Sequence, residues 1–378
     1  MSVDLFGRPL SQREVTKSGP GRGPGRTRKT DDIRSRIEAG DCIEVLRRLA
    51  DEGVQCDSCV TDPPYHLLPT MRRFQKTRTS GNGHLSKGFM GQQWDGGDVA
   101  FQPETWRAVS DVLRPGAFLL AFGGTRTYHR MVCAIEDAGF VVQDMIPWVY
   151  STGFPKNKFQ LKPAQEPICL AYKPGGERVL NTDECRIETS DYCDPDVAKR
   201  NKSSGWKGTT GWKTRDPDKT WASTNARNNQ GRYPSDFVHD GSDEVLALLP
   251  RNENPESARP IVRNVGHFGN SGSGGPAGHG YEDASSVARF FYSAKPTDDE
   301  KVGDHPTQKP VSLMRWLVRL VTPEGGTVLD PFAGTGTTGA AAIMEGVDSL
   351  LIEREEKYLT GIDQKLSWAR RRRSRPLY

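Results

Sequence analysis

The sequence predicts an α/β domain built on a mostly parallel sheet, and three observations carry that expectation. Amphipathic helix patterns alternate with short apolar runs at the pitch of strand–helix–strand units. The stretch 326–353 reads as one complete unit of that kind, a strand, a glycine-rich turn, a helix and a second strand. With 378 residues the chain is long enough to bury a substantial core. Only 35% of the residues are hydrophobic, however, and 40 glycines and 26 prolines are spread along the chain, so much of its length must lie outside that core.

Residues 1–34 are rich in Gly, Pro and basic residues without apolar period and read as a disordered basic arm. Patterning begins at about 35. "DCIEVLRRLADEG" spaces Ile43, Leu46 and Leu49 three apart behind Asp41, the signature of a short capped helix, and "QCDSCVTD" follows as a buried strand. "TWRAVSDVLRPGAFLLAFGG" repeats the design, with a helix expected to stop at Arg114-Pro115-Gly116 and a strand "AFLLAF". "RTYHRMVCAIEDAGFVVQDMIPWVY" gives a helix, a stop at Gly139 and another strand; a short strand follows at Ile168–Tyr172. Residues 35–175 thus form one half of the domain.

Residues 176–288 lose this periodicity and read as a loop-rich polar insert with one helix in "GSDEVLALLP". Order returns over 289–368 with the helix "SLMRWLVRLV", the strand "GTVLD", a glycine turn, a helix from about Thr337, the strand "SLLIE" and a terminal helix over about 355–367. Residues 369–378 form a basic tail.

The net charge of +4 conceals a strong asymmetry. Residues 1–30 hold seven Lys/Arg against two Asp/Glu, 199–232 nine against two, and 365–378 six against none, so these stretches carry +18 and the rest of the chain −14. An acidic body with basic attachments suits a polyanionic partner such as nucleic acid. The basic run 199–232 is interleaved with Trp206, Trp212 and Trp221, which suits contact with phosphates and bases. Seven cysteines without a recognisable leader fit a reducing cytoplasm, and no apolar run reaches bilayer length. Cys56 and Cys59 form a CxxC, but no second pair follows, and strand alternation would send the two to opposite faces, so they read as structural. His66 and His84 have no partner ligands in the sequence and receive no role.

Two motifs carry chemistry. In "VLDPFAGTGTTGAAA" a strand ends at Asp330, the chain turns through Gly334 and Gly336, and a helix opens; Glu353 closes the next strand, where a carboxylate can accept the two hydroxyls of a ribose. The spacing admits NAD, FAD or S-adenosylmethionine, and Asp330-Pro331-Phe332 favours the last, because a carboxylate at the strand end suits an ammonium better than a pyrophosphate. The second motif is "VTDPPYHL", 60–67, where two prolines end a strand and leave Asp62 and Tyr65 at its tip.

With "TDPPY" early and "LDPFAGTGTTG" late, the chain resembles the DNA amino-methyltransferases that modify exocyclic nitrogens of adenine or cytosine, in the motif order of the β class. The resemblance spans about 36–175 and 289–368. It implies a Rossmann-like, circularly permuted methyltransferase fold dependent on S-adenosylmethionine, with 176–288 as the target-recognition region. It assigns Asp62 and Pro63, framed by Pro64, as acceptors for the target amine and Tyr65 as the platform for a flipped base. It assigns to the cofactor Asp41 and Cys42 at the adenine, Thr307 and Lys309 of "HPTQKPVSLMRWLV" at the methionine part, then Asp330, Phe332, Ala333, Gly334, Gly336, Thr337, Thr338 and Glu353, with Asp62 adjoining. Leu313 and Leu317 should turn inward.

Duplex DNA is the expected partner, with Arg72, Arg73, Lys76, Arg78 and Lys87 in a loop that closes over the base and Trp206, Lys207, Trp212, Lys213 and Arg215 in the insert. The resemblance further admits a homodimer and a restriction endonuclease partner, and no metal is expected. Asp in the first motif position favours adenine. Transfer to cytosine N4 or to RNA is the competing activity, and an inactive cofactor-binding subunit is disfavoured because the Asp, both prolines and the glycine turn are intact. A nicotinamide-dependent oxidoreductase would need an early GxGxxG and has none.

Overall fold

The computed structural model describes residues 33–65, 98–151, 161–187, 233–249, 292–293 and 308–373. Among these, nine strands share one sheet in the order β1-β9-β8-β2-β3-β5-β4-β6-β7. The strands are β1 (Ser35–Ala39), β2 (Cys56–Thr61), β3 (Leu113–Phe122), β4 (Val141–Val149), β5 (Gln165–Tyr172), β6 (Val238–His239), β7 (Tyr292–Ser293), β8 (Thr327–Asp330) and β9 (Asp348–Glu353). The run β1-β9-β8-β2-β3 is parallel throughout, and β5 runs antiparallel to both β3 and β4. The expected α/β class and mostly parallel sheet are therefore what the chain adopts.

Two layers of helices cover the sheet. On one face α1 (Cys42–Asp51), α2 (Pro103–Asp111) and α3 (Tyr128–Asp137) bury Leu46, Leu49, Trp106, Val109 and Ile135 against the strands. Leu350 and Ile352 of β9 point into this cluster. Leu351 between them points to the opposite cluster, formed with α6 (Thr337–Glu345) and α7 (Glu356–Arg373). Helix α5 (Val311–Val321) packs beside α6, and Leu313 and Leu317 are fully buried, as expected.

Local chemistry explains how two of these helices begin and how a third packs. The Asp41 carboxylate caps α1 by accepting from the Ile43 and Glu44 N–H groups at 2.9 and 3.3 Å. Pro103 opens α2, where its missing N–H costs nothing. In α6 a Cβ at Gly339 would lie 2.6 Å from Leu351 Cδ1 and 2.7 Å from Leu366 Cδ2, so glycine is what lets this helix press onto β9 and α7.

Four boundaries differ from the sequence reading. Helix α2 ends at Asp111, not at Arg114, and β3 already begins at Leu113 and runs through Pro115-Gly116. The reason is long-range: Cys56 N–H donates to Val112 O, Gly116 N–H to Lys173 O, and the Lys173 ammonium to Ser110 O and Leu113 O. Strand β5 starts three residues before Ile168, drawn out by pairing with β4. Helix α7 continues past Ser367 into the basic tail, because Ala369 is buried and the Arg373 guanidinium binds Ile343 O and Met344 O at the end of α6. Strand β1, polar and lacking alternation, was not legible; it exists by pairing with β9 from Ser35–Ser349 to Ala39–Glu353. Ile33 just before it is buried against the α6–α7 cluster.

The chain divides into two compact units. The first holds the sheet and includes Asp236–Ser242, whose Val238 and His239 pair with Trp148 and Val149. The second takes Arg186–Ser235 and Asp243–Tyr292; its described part contains α4 (Asp243–Leu248) and a stacking of the Arg186 guanidinium on the Tyr233 ring at 3.7 Å.

Candidate active site

Strands β2 and β8 are parallel neighbours whose following connections diverge. The chain leaves β8 through α6 on one face and leaves β2 towards α2 on the other. Such a switch point opens a crevice beyond the strand ends, where ligands of open α/β sheets bind. Asp62 follows the end of β2 and Asp330 ends β8, so the two motifs, 268 positions apart in sequence, meet in one pocket with about 250 Å³ of free space.

One end of the pocket is built by the glycine turn. Asp330, only 3% exposed, accepts from the Thr61 hydroxyl (2.7 Å), the Phe332 N–H (3.1 Å) and the Thr338 hydroxyl (2.5 Å), which ties the tip of β2 to the turn after β8. Burial raises its pKa to about 6 against those three hydrogen bonds, with the Asp62 charge adding to the rise. Three of roughly four acceptor positions on this carboxylate are thus committed internally, so it serves the architecture of the turn as well as offering charge to a ligand.

Gly336 heads α6 with φ +80°, and a Cβ there would meet Ile362 Cγ2 at 2.9 Å. It supports the turn from behind and does not line the pocket, whereas Gly334 and Thr335 do.

Glu353 closes the same end. Its Oε2 accepts from Gly334 N–H and its Oε1 from Glu355 N–H, both at 2.7 Å. Each oxygen keeps a lone pair for a further donor, which is the provision a ribose diol requires. Burial raises the Glu353 pKa, while the two backbone donors oppose the rise. Asp41 and Cys42 line the adjoining wall with Phe332, Ile352 and Tyr358. The Cys42 thiol, pushed to about 12 by burial, is a neutral surface there. The lining, with Phe332, Ile352 and Tyr358 beside the Glu353 carboxylate, fits the nucleoside part of S-adenosylmethionine.

The other end holds a cluster that the sequence only partly disclosed. The Lys309 ammonium, on a side chain 8% exposed, lies 2.5 Å from Asp62 Oδ2 and 3.2 Å from Glu166 Oε2. The Tyr65 hydroxyl lies 2.7 Å from Asp62 Oδ1 and 2.9 Å from Glu166 Oε2, and the Tyr150 hydroxyl donates to Glu166 Oε1 at 3.3 Å. Thr127 donates to the Tyr65 carbonyl at 3.0 Å and holds that residue's backbone. Burial raises the Asp62 pKa and Glu166 adds to it, while Lys309 opposes both. Burial would depress Lys309, but the two carboxylates outweigh it and hold its pKa above the ordinary lysine value.

Lys309, expected at the methionine part of the cofactor, lines the pocket, and its ammonium binds the Asp62 carboxylate. Glu166 and Tyr150 were not anticipated. The signal in "KPAQEPICLAY" is slight, a carboxylate at the mouth of a buried strand, and its partners are 101 and 143 positions away. The pocket gathers Asp41, Cys42, Asp62, Pro63, Pro64, Tyr65, Lys309, Asp330, Phe332, Ala333, Gly334, Thr337, Thr338 and Glu353. Thr307, Arg72, Arg73, Lys76, Arg78, Lys87, Trp206, Lys207, Trp212, Lys213 and Arg215, with His66 and His84, lie outside the described residues. Cys56 and Cys59 are fully buried free thiols. Among the described residues no group of His, Cys, Asp and Glu could hold a metal ion, and no helix is long and apolar enough to cross a membrane.

The profile of the DNA methylase family matches residues 56–364. The chain is 28% identical over 231 residues to the type II methyltransferase M.HindIII of Haemophilus influenzae, a match covering 61% of this chain and 57% of that protein. It is 44% identical over 69 residues to M.HinfI of Haemophilus influenzae, covering 18% of this chain and 19% of that one. The matched stretch thus spans little more than half of the first relative and a fifth of the second. Among solved structures, the M1.HpyAVI–SAM complex is 16% identical over 88% of this chain and all of that one at a TM-score of 0.44. The PvuII DNA methyltransferase (cytosine-N4-specific) is 14% identical over 90% and 92% at 0.44.

Proposed function

Because the chain belongs to the DNA methylase family, we propose that it transfers a methyl group from S-adenosylmethionine to an exocyclic amine of a base in duplex DNA, and that the base is adenine, modified at N6. The observation that carries this reading is the meeting of Asp62-Pro63-Pro64-Tyr65 with the Asp330–Thr338 turn and Glu353 in a single pocket.

An exocyclic amine is a poor nucleophile, because its lone pair is delocalised into the ring. Two acceptors facing its two N–H bonds localise that pair and stabilise the positive charge that grows on nitrogen during attack. Asp62 supplies one acceptor and the Pro63 carbonyl the other. Pro64 contributes no N–H, so no backbone donor at that position competes for the carbonyl. When bound, S-adenosylmethionine would supply the electrophilic methyl group; Glu353 would hold its ribose, and Asp41 and Cys42 would lie beside its adenine. The base must leave the helix to reach this depth, and stacking on the Tyr65 ring recovers about 1–3 kcal/mol of the lost stacking. Asp as the first residue of the motif favours adenine, in keeping with the family pattern.

Sequence recognition falls to 176–288. The basic residues 72–87 and the Lys- and Trp-containing stretch 206–215 supply phosphate and base contacts, and their contribution should be salt-dependent. Expression in a methylation-free host, followed by mass spectrometry of the nucleosides, tests the activity and the base together. N6-methyladenine is expected; N4-methylcytosine would move the assignment to cytosine, and neither product would refute the proposal.

A further inference from the structure

The transfer described above leaves Glu166 without a task and leaves a proton without a destination. An exocyclic amine carries two N–H bonds; once it has attacked, its nitrogen is cationic and must lose one proton before product departs.

The carboxylates of Asp62 and Glu166 stand on either side of a single phenol. Tyr65 Oη lies 2.7 Å from Asp62 Oδ1 and 2.9 Å from Glu166 Oε2. A phenol has one proton to donate, so this hydroxyl is shared between two acceptors. Both distances are within reach for proton transfer. Lys309 pins the far oxygen of Asp62 at 2.5 Å and also reaches Glu166 Oε2, while Tyr150 holds Glu166 Oε1. The charged and titratable groups facing Asp62 are therefore Lys309, Tyr65, Glu166 and, across the β2–β8 tip, Asp330.

We propose that Asp62, Tyr65 and Glu166 form a proton relay that carries the amine proton from the reacting base to Glu166. An amine N–H seated on Asp62 Oδ1 takes the place of the Tyr65 hydroxyl, which turns wholly to Glu166. When the C–S bond breaks and the C–N bond forms, the sulfonium becomes a neutral thioether and the amine nitrogen becomes cationic. The N–H bond then breaks and its proton passes to Asp62 Oδ1. Asp62 hands a proton to the Tyr65 oxygen as Tyr65 gives its own to Glu166 Oε2, so Asp62 is again a carboxylate, Tyr65 again a phenol and Glu166 a carboxylic acid. Release of that proton to solvent restores the cluster. Burial, reinforced by the two carboxylates, keeps Tyr65 well above the usual phenol range, which suits a group that passes a proton on without ionising. With one ammonium facing two carboxylates, the added proton takes the three charges from a net −1 to neutral.

The inference rests on the methyl-transfer reading, and its test separates the two. Steady-state turnover, in which each cycle needs the proton gone before product departs, is measured against pH as transfer of tritiated methyl from S-adenosylmethionine to unmethylated genomic DNA for wild type, Glu166→Gln, Glu166→Asp and Tyr65→Phe. Glutamine keeps the shape and accepts the Tyr65 hydrogen bond but takes up no proton. Glu166→Gln should slow transfer about 100-fold and change the pH profile, with calorimetric cofactor affinity within about threefold of wild type. Glu166→Asp should recover part of the rate, and Tyr65→Phe should match Glu166→Gln. Wild-type rates and pH profiles in Glu166→Gln and Tyr65→Phe would overturn the relay while leaving methyl transfer intact. A wild-type protein that binds cofactor yet transfers nothing would overturn both.

Discussion

Replacing Lys309 by Met removes the ammonium that faces the Asp62 and Glu166 carboxylates. The side chain is 8% exposed, its ammonium touches Asp62 and Glu166 at 2.5 and 3.2 Å, and methionine fills a similar volume without charge. Removing one partner of a buried ion pair costs about 3–5 kcal/mol, because the remaining charge is left uncompensated. The loss should depend on pH with a definite sign. The folded-state pKa of Lys309 lies above its unfolded value, so its contribution is fully present below the ordinary lysine pKa and is lost only at strongly alkaline pH. In the variant, Asp62 loses the group that opposed its rise, so it takes up a proton more readily as pH falls and the uncompensated charge disappears. Urea unfolding at pH 8 and pH 5 should therefore show a gap of about 3–5 kcal/mol from wild type at the higher pH that narrows at the lower. Adding Asp62→Asn to Lys309→Met should recover part of the gap, since the carboxylate nearest the lost ammonium is then uncharged while Glu166 keeps its charge. A gap below about 1 kcal/mol, or one that widens on acidification, would refute the ion-pair account.

Three further outcomes follow from the same pocket. Asp62→Ala should abolish methyl transfer to DNA, read as incorporated tritium, while calorimetric S-adenosylmethionine affinity stays within a few-fold; full activity would remove Asp62 from the chemistry. Glu353→Ala deletes the acceptor for the ribose and frees Gly334 N–H, so cofactor Kd should rise about 10- to 100-fold at 1.5–3 kcal/mol for hydrogen bonds to a charged group, and an unchanged Kd would displace the ribose from that site. The Asp330 pKa is raised to about 6 in the fold, so its ionised form is disfavoured there: its contribution is fully present below about pH 4 and is lost as pH rises through about 6. Wild type should therefore gain stability relative to Asp330→Asn on acidification through that window, and parallel stability–pH curves would contradict the burial argument.

The fold was largely legible because hydrophobic period is a local property. The helix around 42–51, the buried strand at 56–61 and the strand–turn–helix of 327–345 each carry their own cap, apolar face or glycine stop within about twenty residues. Strand β1 and the true start of β5 were not legible, since neither has a pattern of its own and both are defined by hydrogen bonds to distant strands. The halt of α2 at Asp111 belongs with them, because Lys173 and Cys56 decide it from other parts of the chain.

The candidate site divides in the same way. Residue type and order by themselves determined that an acidic, proline-framed strand tip and a glycine turn with a downstream carboxylate are present, because each motif is contiguous. Only the tertiary structure decided that they face one another, that Asp330 is spent largely on holding Thr61 and the turn, and that Lys309 binds Asp62. It alone brought Glu166 and Tyr150 to the Tyr65 hydroxyl. The physical reason is that a charge can be read from one residue, whereas its partner is chosen by which strand ends the sheet order makes adjacent, and that order is set by packing over the whole chain.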